Sequence, residues 1–220
     1  MSDAVQILEP QDTQKSQGKR AIRETNERLI MEAAEQEFAL SGFKGATTDA
    51  IARRAGVPKA NLHYYFSTKA ALYRRVIEDV CEHWLAAAHP FDETDDPRTA
   101  LRGYIKAKMD QARMRPFGSR VWAMEVICGA PVIDGYLHSV LKPWYEARTK
   151  KLNEWIRAGK MDPIDTQALF FMIWATTQHY ADFDSQIRVL NDDRPLSDEQ
   201  FSDATDQVCK IILTGIGLKP

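Results

Sequence analysis

Residues 47–66, TTDAIARRAGVPKANLHYYF, divide into two short helices and the turn between them. Thr47 or Thr48 can cap the first helix, because a hydroxyl accepts a hydrogen bond from the free backbone N–H groups of a first turn. Ile51, Ala52 and Ala55 give that helix one apolar stripe, and Gly56 can end it in the left-handed region that a Cβ would penalise. Pro58 opens the second helix where its missing N–H costs nothing. Lys59, Asn61, His63 and Tyr64 are left to point outward. Such a unit is either an αα-hairpin in an ordinary core or a helix-turn-helix, whose second helix enters the DNA major groove with its N-terminal residues on base edges. Charge separates the two readings. Between residues 47 and 75, Arg53, Arg54, Lys59, Lys69, Arg74 and Arg75 face only Asp49, in a chain whose net charge is −2. A solvated helix face normally mixes signs; a local basic patch in a near-neutral chain is the electrostatic footprint of a phosphate-contacting segment.

Working outward, residues 21–40 carry Ile22, Leu29, Ile30, Ala33, Ala34 and Phe38 at helical spacing, with positions 30, 34 and 38 on one face and Gly42 to close the helix. Residues 1–18 are polar and are expected to form a disordered arm. Lys15, Lys19, Arg20 and Arg23 follow either as phosphate contacts or as part of a solubilising tail. On the other side a helix is predicted over residues 67–88, capped by Ser67, with a stripe from Leu72 and Tyr73 through Val80 to Trp84 and Leu85. At ~1.5 Å per residue it spans roughly 30 Å, long enough to carry a signal between domains. Lys69 in its first turn opposes the helix dipole, as a phosphate-contacting or a chance surface lysine would. His89-Pro90 and the acidic run 92–96 read as a linker, placing a domain boundary near residue 89.

Everything beyond Pro97 looks helical. Helices are expected over about 98–114 and 116–128, then from 131 to 159 with Pro143 starting or kinking a helix. Residues 164–183 are apolar on more than one face, residues 184–196 are expected to form a mobile polar loop, and 201–218 carry one stripe that includes Val208, Ile211 and Ile212. A helix apolar all round is buried on all sides, so one face can meet its own core and the other a second subunit. The fold class is all-α: an N-terminal three-helix helix-turn-helix domain with its connecting helix (19–88), and a C-terminal helical ligand-binding and dimerisation domain (89–220).

Several function classes are disfavoured. Cys81, Cys128 and Cys209 are scattered and odd in number, which argues against a disulfide scaffold. The five histidines lack metal-ligand spacing, so no metal and no cofactor is expected. No apolar run reaches the ~18 residues of a membrane span, and no signal peptide is evident, so the expected compartment is a reducing cytoplasm. No nucleophile motif or glycine-rich phosphate loop occurs, and Glu125 and Asp182 are isolated carboxylates, so the chain is not expected to be an enzyme. A purely structural DNA-binding protein would need only about the first 75 residues, leaving the large helical remainder without a role.

Thr47, Ile51-Ala52, Ala55-Gly56-Val57, Leu62, Tyr65-Phe66 and Lys69 resemble the TetR family of one-component transcriptional regulators over about residues 20–88. Pro58 stands where that family usually has serine, and His63 where it often has tyrosine. The resemblance implies a homodimer, joined through the last two long helices, that binds a palindromic double-stranded operator. Lys59 and Asn61 are the expected base readers, lysine suiting guanine and asparagine adenine. Thr47, Tyr64, Tyr65 and Lys69 are expected to hold phosphates and set register. Thr48, Ala60 and His63 complete the expected DNA-binding face.

Within residues 171–183, Trp174 and Gln178 are four apart on one helical face. The ring offers a stacking surface and the amide both a donor and an acceptor, which together suit a flat, polar-edged ligand. The alternative is a core tryptophan beside a satisfied buried amide. The run GKMDPIDTQALFFMIWATTQHYADF (159–183), together with NLHYYFSTKAALY (61–73), Trp84 and AMEVICGAP (123–131), is similar to the pyrimidine-utilisation (Rut-type) branch of the same family. That similarity implies uracil or thymine as effector, held by Trp84, Trp174 and Gln178, and control of pyrimidine degradation and nitrogen supply. Its alternative is a repressor of the same fold sensing a different planar or aromatic molecule.

Overall fold

The computed structural model describes the backbone of residues 10–218 and the side chains of residues 20–218. Among these residues none lies in a strand, and no helix is long and apolar enough to cross a membrane. The chain forms two compact units, residues 1–73 and 74–220.

The first unit holds α1 (Pro10–Gly45), α2 (Thr48–Ala55) and α3 (Lys59–Tyr65), followed by the start of α4 (Lys69–Ala86). The first nine residues of the expected arm lie outside the described residues. The rest of that arm is helical, because α1 begins at Pro10: a proline suits a first helical position, and the glutamines and lysines that follow are good helix formers. Exposed pairs one turn apart, Arg20–Glu24 at 2.8 Å and Arg28–Glu32 at 2.7 Å, brace the helix further along. Gly42, at φ 66°, breaks its helical course. Thr47 caps α2 by accepting from the Ala50 N–H, and Gly56 ends it at φ 68° while its N–H returns to the carbonyls of Ala52 and Arg53. Only Gly56, Val57 and Pro58 separate α2 from α3. Ile30, Ala34, Phe38, Ile51, Leu62 and Leu72 are fully buried and make the core of this unit, with Phe38 edge-on to Tyr73 at 4.9 Å.

In the second unit α4 is followed by α5 (Pro90–Glu93), α6 (Pro97–Met114), α7 (Pro116–Ile127), the short α8 (Asp134–Tyr136), a π-helical turn (Leu137–Leu141), α9 (Lys142–Arg157), α10 (Thr166–Asp182), α11 (Asp184–Leu190) and α12 (Asp198–Gly215). Side-chain caps fix three of these starts. Asp96 accepts from Thr99 N–H, Asp165 from Gln167 N–H, and Ser197 exchanges bonds with Gln200 in a capping box. Leu101, Tyr104 and Ile105 of α6, Leu152 and Trp155 of α9, Phe170 and Ile173 of α10, and Leu213 of α12 form one buried cluster.

Four expectations need correction. The division between compact units falls at residues 73/74, earlier than the boundary expected near 89. The cap of α4 is Thr68, whose hydroxyl accepts from Ala71 N–H, in place of Ser67. Residues 89–96 are not a linker: they include α5, Phe91 is 2% exposed and stacks on Trp155, Asp92 accepts from Arg148 at 2.5 and 2.8 Å, and Asp95 binds Lys151, Lys160 and the Trp155 indole. Those donors hold the Asp95 carboxyl well below the ordinary carboxylate range. Residues 184–196 are not wholly a loop, since α11 occupies their first half, braced by Arg188 on Asp184.

Candidate nucleic-acid interface and ligand cavity

In the first unit, α3 is anchored by Leu62, which is fully buried, and turns Lys59, Ala60, His63 and Tyr64 to solvent, with Asn61 and Tyr65 half-buried. Tyr64 is 72% exposed and packs edge-on against Tyr65 at 5.2 Å. Thr47 and the half-buried Thr48 lie at the start of α2, the Thr47 oxygen already serving as its cap. An open groove is lined by Arg20, Ile22 and Arg23 of α1 together with Tyr64 and Tyr65.

The charge at this face is smaller than the sequence count suggests. Lys59 pairs with Asp49 at 2.9 Å, and Arg54 pairs with Glu37 at 3.1 Å, a carboxylate outside the window that was counted. Arg53 has no described carboxylate partner. Lys69 is held inside the fold. Its Nζ donates to the carbonyls of Phe43 (2.7 Å) and Ala46 (2.8 Å) and sits 4.7 Å from the centre of the Phe43 ring. Its position against the helix dipole is thus explained by the carbonyls that follow the Gly42 kink, without a phosphate.

In the second unit a cavity of about 50 Å³ lies among six elements, α4, α6, α7, the π-helical turn, α9 and α10. Trp84, Trp174 and Gln178, singled out from sequence, all line it. So do Trp122 and Trp144, which give it two further indoles, and Tyr104 and Lys108 from α6. Trp84 meets Trp122 edge-on at 5.4 Å, and Trp144 lies 6.4 Å from Trp174 at 37°. Hydrogen bonds hold two of these rings. Trp174 Nε1 donates to Tyr104 Oη (2.7 Å), and Trp144 Nε1 to the Leu85 carbonyl (3.3 Å). The Tyr104 phenol is raised well above its ordinary pKa by burial, so it stays protonated.

Among the described residues neither the Gln178 amide nor the Lys108 ammonium, both on this cavity's wall, makes a hydrogen bond. Lys108 Nζ sits 3.8 Å from the centre of the Trp84 ring, and burial brings its pKa down to about 7. Cys81, also on the wall, is no nucleophile, because burial pushes its thiol up to about 12. A wider cleft at Arg113, Arg120 and Arg188 is open to solvent, and two of its arginines are already paired, Arg113 with Asp198 and Arg188 with Asp184. The cavity, lined by four indoles with few convergent polar groups, is the better ligand site.

A helix-turn-helix unit followed by a helical unit with an aromatic cavity defines a ligand-responsive DNA-binding regulator. Comparison with known proteins gives the family. The description "Bacterial regulatory proteins, tetR family" matches residues 30–76, and "YcdC-like protein, C-terminal region" matches residues 77–219. The chain is 39% identical over 204 residues to the HTH-type transcriptional regulator RutR of Escherichia coli K12, covering 92% of this chain and 96% of that one. It is 32% identical to the HTH-type transcriptional activator FasR of Mycolicibacterium smegmatis, over 42% of this chain and 43% of that one. Among solved structures, a transcriptional regulator from Streptomyces coelicolor superposes with a TM-score of 0.67 at 24% identity, covering 86% of this chain and 97% of that one. FadR from Bacillus subtilis in complex with stearoyl-CoA gives 0.64 at 18%, covering 86% and 98%. The chain belongs to the TetR family of transcriptional regulators, whose members bind DNA and small-molecule effectors, typically as dimers. Its relatives are regulators, not enzymes.

Proposed function

We propose that this regulator is a cytoplasmic homodimeric repressor that binds a palindromic operator and is released by a free pyrimidine, uracil or thymine, so that genes of pyrimidine degradation and nitrogen supply are expressed when the base accumulates. The observation that carries the reading is the cavity: four indoles around a small space, with an unpaired Gln178 amide on its wall. Aromatic faces stack on a planar ring, and an amide's paired donor and acceptor match the O=C–N–H edge of uracil. The likeness to RutR along nearly the whole chain supports the same choice. The cavity, about 50 Å³, lies well below the usual size of a ligand pocket, which favours a single ring, seated as the surrounding indoles shift, over a long acyl chain.

At the DNA, Lys59 and Asn61 read bases, with His63 and Ala60 beside them, and Lys59 exchanges Asp49 for its target on binding. Thr47, Thr48, Tyr64 and Tyr65 contact the backbone, joined by Arg20 and Arg23 from the same groove. Lys69 supports the carbonyls after the Gly42 kink, and its remaining N–H can address a phosphate. Trp84 and Lys69 lie on one continuous helix, α4, so a ligand that moves Trp84 biases the element that starts beside the reading helices in sequence.

Calorimetry with uracil, thymine and cytosine tests this. Uracil has about eight heavy atoms, which caps even a near-ideal site near −12 kcal/mol, and real sites fall well short, at micromolar affinity. Cytosine reverses the donor–acceptor pattern on one edge and should bind about ten- to a hundredfold more weakly, the cost of leaving the half-buried Gln178 amide unpaired once a ring covers it. Equal binding of uracil and cytosine, or no binding of either at millimolar concentration, would refute the pyrimidine reading.

A further inference from the structure

Lys108 is the polar group that this reading leaves unused. It lies on the inward face of α6 among Tyr104, Ile105, Met109 and Ala112, and is 4% exposed. Among the described residues nothing accepts from its Nζ, which meets the Trp84 ring and the cavity. A buried ammonium carries three donors, and leaving them without acceptors is among the larger penalties a core can hold. Groups of that kind concentrate at binding sites.

The groups around it bring little compensating charge. Cys81 of α4 and Tyr104 of α6 are both neutral, their protons held by burial. On α10, Gln178 is neutral. Asp182 is the one carboxylate acting on the amine, and it is itself raised by burial and shared with Arg120 and His179. Trp122, Leu141 and Trp144, from α7, the π-helical turn and α9, carry no titratable group.

We propose that Lys108 is a specificity-determining residue of the effector site, donating to a second carbonyl oxygen of the bound ring beyond the O=C–N–H edge read by Gln178. The inference rests on the pyrimidine reading above and extends it. Uracil and thymine carry two carbonyls flanking one N–H, and a glutamine amide can satisfy only one carbonyl and that N–H. Lys108 answers the other, and a ring with an amino group there would set donor against donor. Because a carbonyl acceptor favours the charged amine, the ring's arrival raises the Lys108 pKa from about 7, and the site takes up a proton on binding. Affinity is then greatest below about pH 7, where the amine is charged before binding, and falls as pH rises above that value.

The test is calorimetry of the full-length protein with uracil at about pH 7.5, in two buffers of different ionisation enthalpy, for the wild type, Lys108→Met and Lys108→Gln. The wild type should take up a fraction of a proton on binding uracil. Lys108→Met should bind uracil at least about tenfold more weakly with no proton uptake, while Lys108→Gln, still a donor, should recover part of the affinity without the uptake. Wild-type affinity and an unchanged pH profile in Lys108→Met would overturn the assignment and leave Lys108 as a prop for the Trp84 ring. Absence of uracil binding by the wild type would instead overturn the pyrimidine reading, and this inference with it.

Discussion

Burying Lys108 works against the fold, and the sign can be checked. Its pKa is about 7 in the folded protein against 10.5 in an exposed lysine, so the unfolded chain holds more protons between those values. Stability of the ligand-free protein therefore rises with pH across that window, and the full cost of the buried charge is felt below about pH 7. Replacing Lys108 by methionine should stabilise the fold by on the order of a few kcal/mol, most of all below about pH 7, and raise the melting temperature accordingly. A melting-temperature series for both proteins over pH checks this; a difference independent of pH would deny the buried charge. Trp174 behaves oppositely. Trp174→Ala should destabilise by about 3–5 kcal/mol, because it empties a packed site and strands the buried Tyr104 hydroxyl, so loss of ligand binding in that variant must be read alongside its urea unfolding curve. At this scale the sequence was partly legible. Trp174 and Gln178 are a turn apart and announce themselves, whereas Lys108 looks like one more lysine between Lys106 and Asp110. The usable signal was its register: it continues the stripe of Leu101, Tyr104 and Ile105 into Met109 and Ala112, a position where a surface lysine does not belong.

At the scale of elements, the helix-turn-helix was readable because everything that defines it is local: the Thr47 cap, the left-handed Gly56 and the Leu62 anchor. A Cβ at Gly56 would meet no atom within 4 Å, so Gly56→Ala should cost only the backbone strain of a positive φ, about 1–2 kcal/mol, measurable by urea unfolding. Residues 89–96 were misread because their acidic composition resembles a linker, while what holds them is distant: Arg148, Lys151, Trp155 and Lys160 lie more than fifty residues further on. Phe91→Ala separates the two descriptions. It should destabilise by about 3–5 kcal/mol as a core residue, whereas a linker residue would change stability little.

For the whole molecule, the last long helices carry an apolar face beyond the one that enters the subunit's own core, and the single stripe read over residues 201–218 divides between the two. Val208 and Ile212 are 5% and 4% exposed and belong to the subunit's own core, while Phe171 and Met172 of α10 and Ile211 of α12 remain more than half exposed. Periodicity identifies a stripe without saying which of two partners it meets. Charged substitutions at Phe171 and Ile211 should therefore give folded monomers in light scattering, and the same change at Val208 should give unfolded protein. In a dimer the two α3 helices should address half-sites about one helical turn apart, roughly 34–36 Å. The most direct measurement joins both units: fluorescence anisotropy of the dimer on an operator recovered by binding-site selection, titrated with uracil and, separately, with cytosine. Release of the DNA by micromolar uracil, with cytosine ineffective at the same concentration, is the predicted result; an operator complex that saturating uracil leaves intact would contradict it.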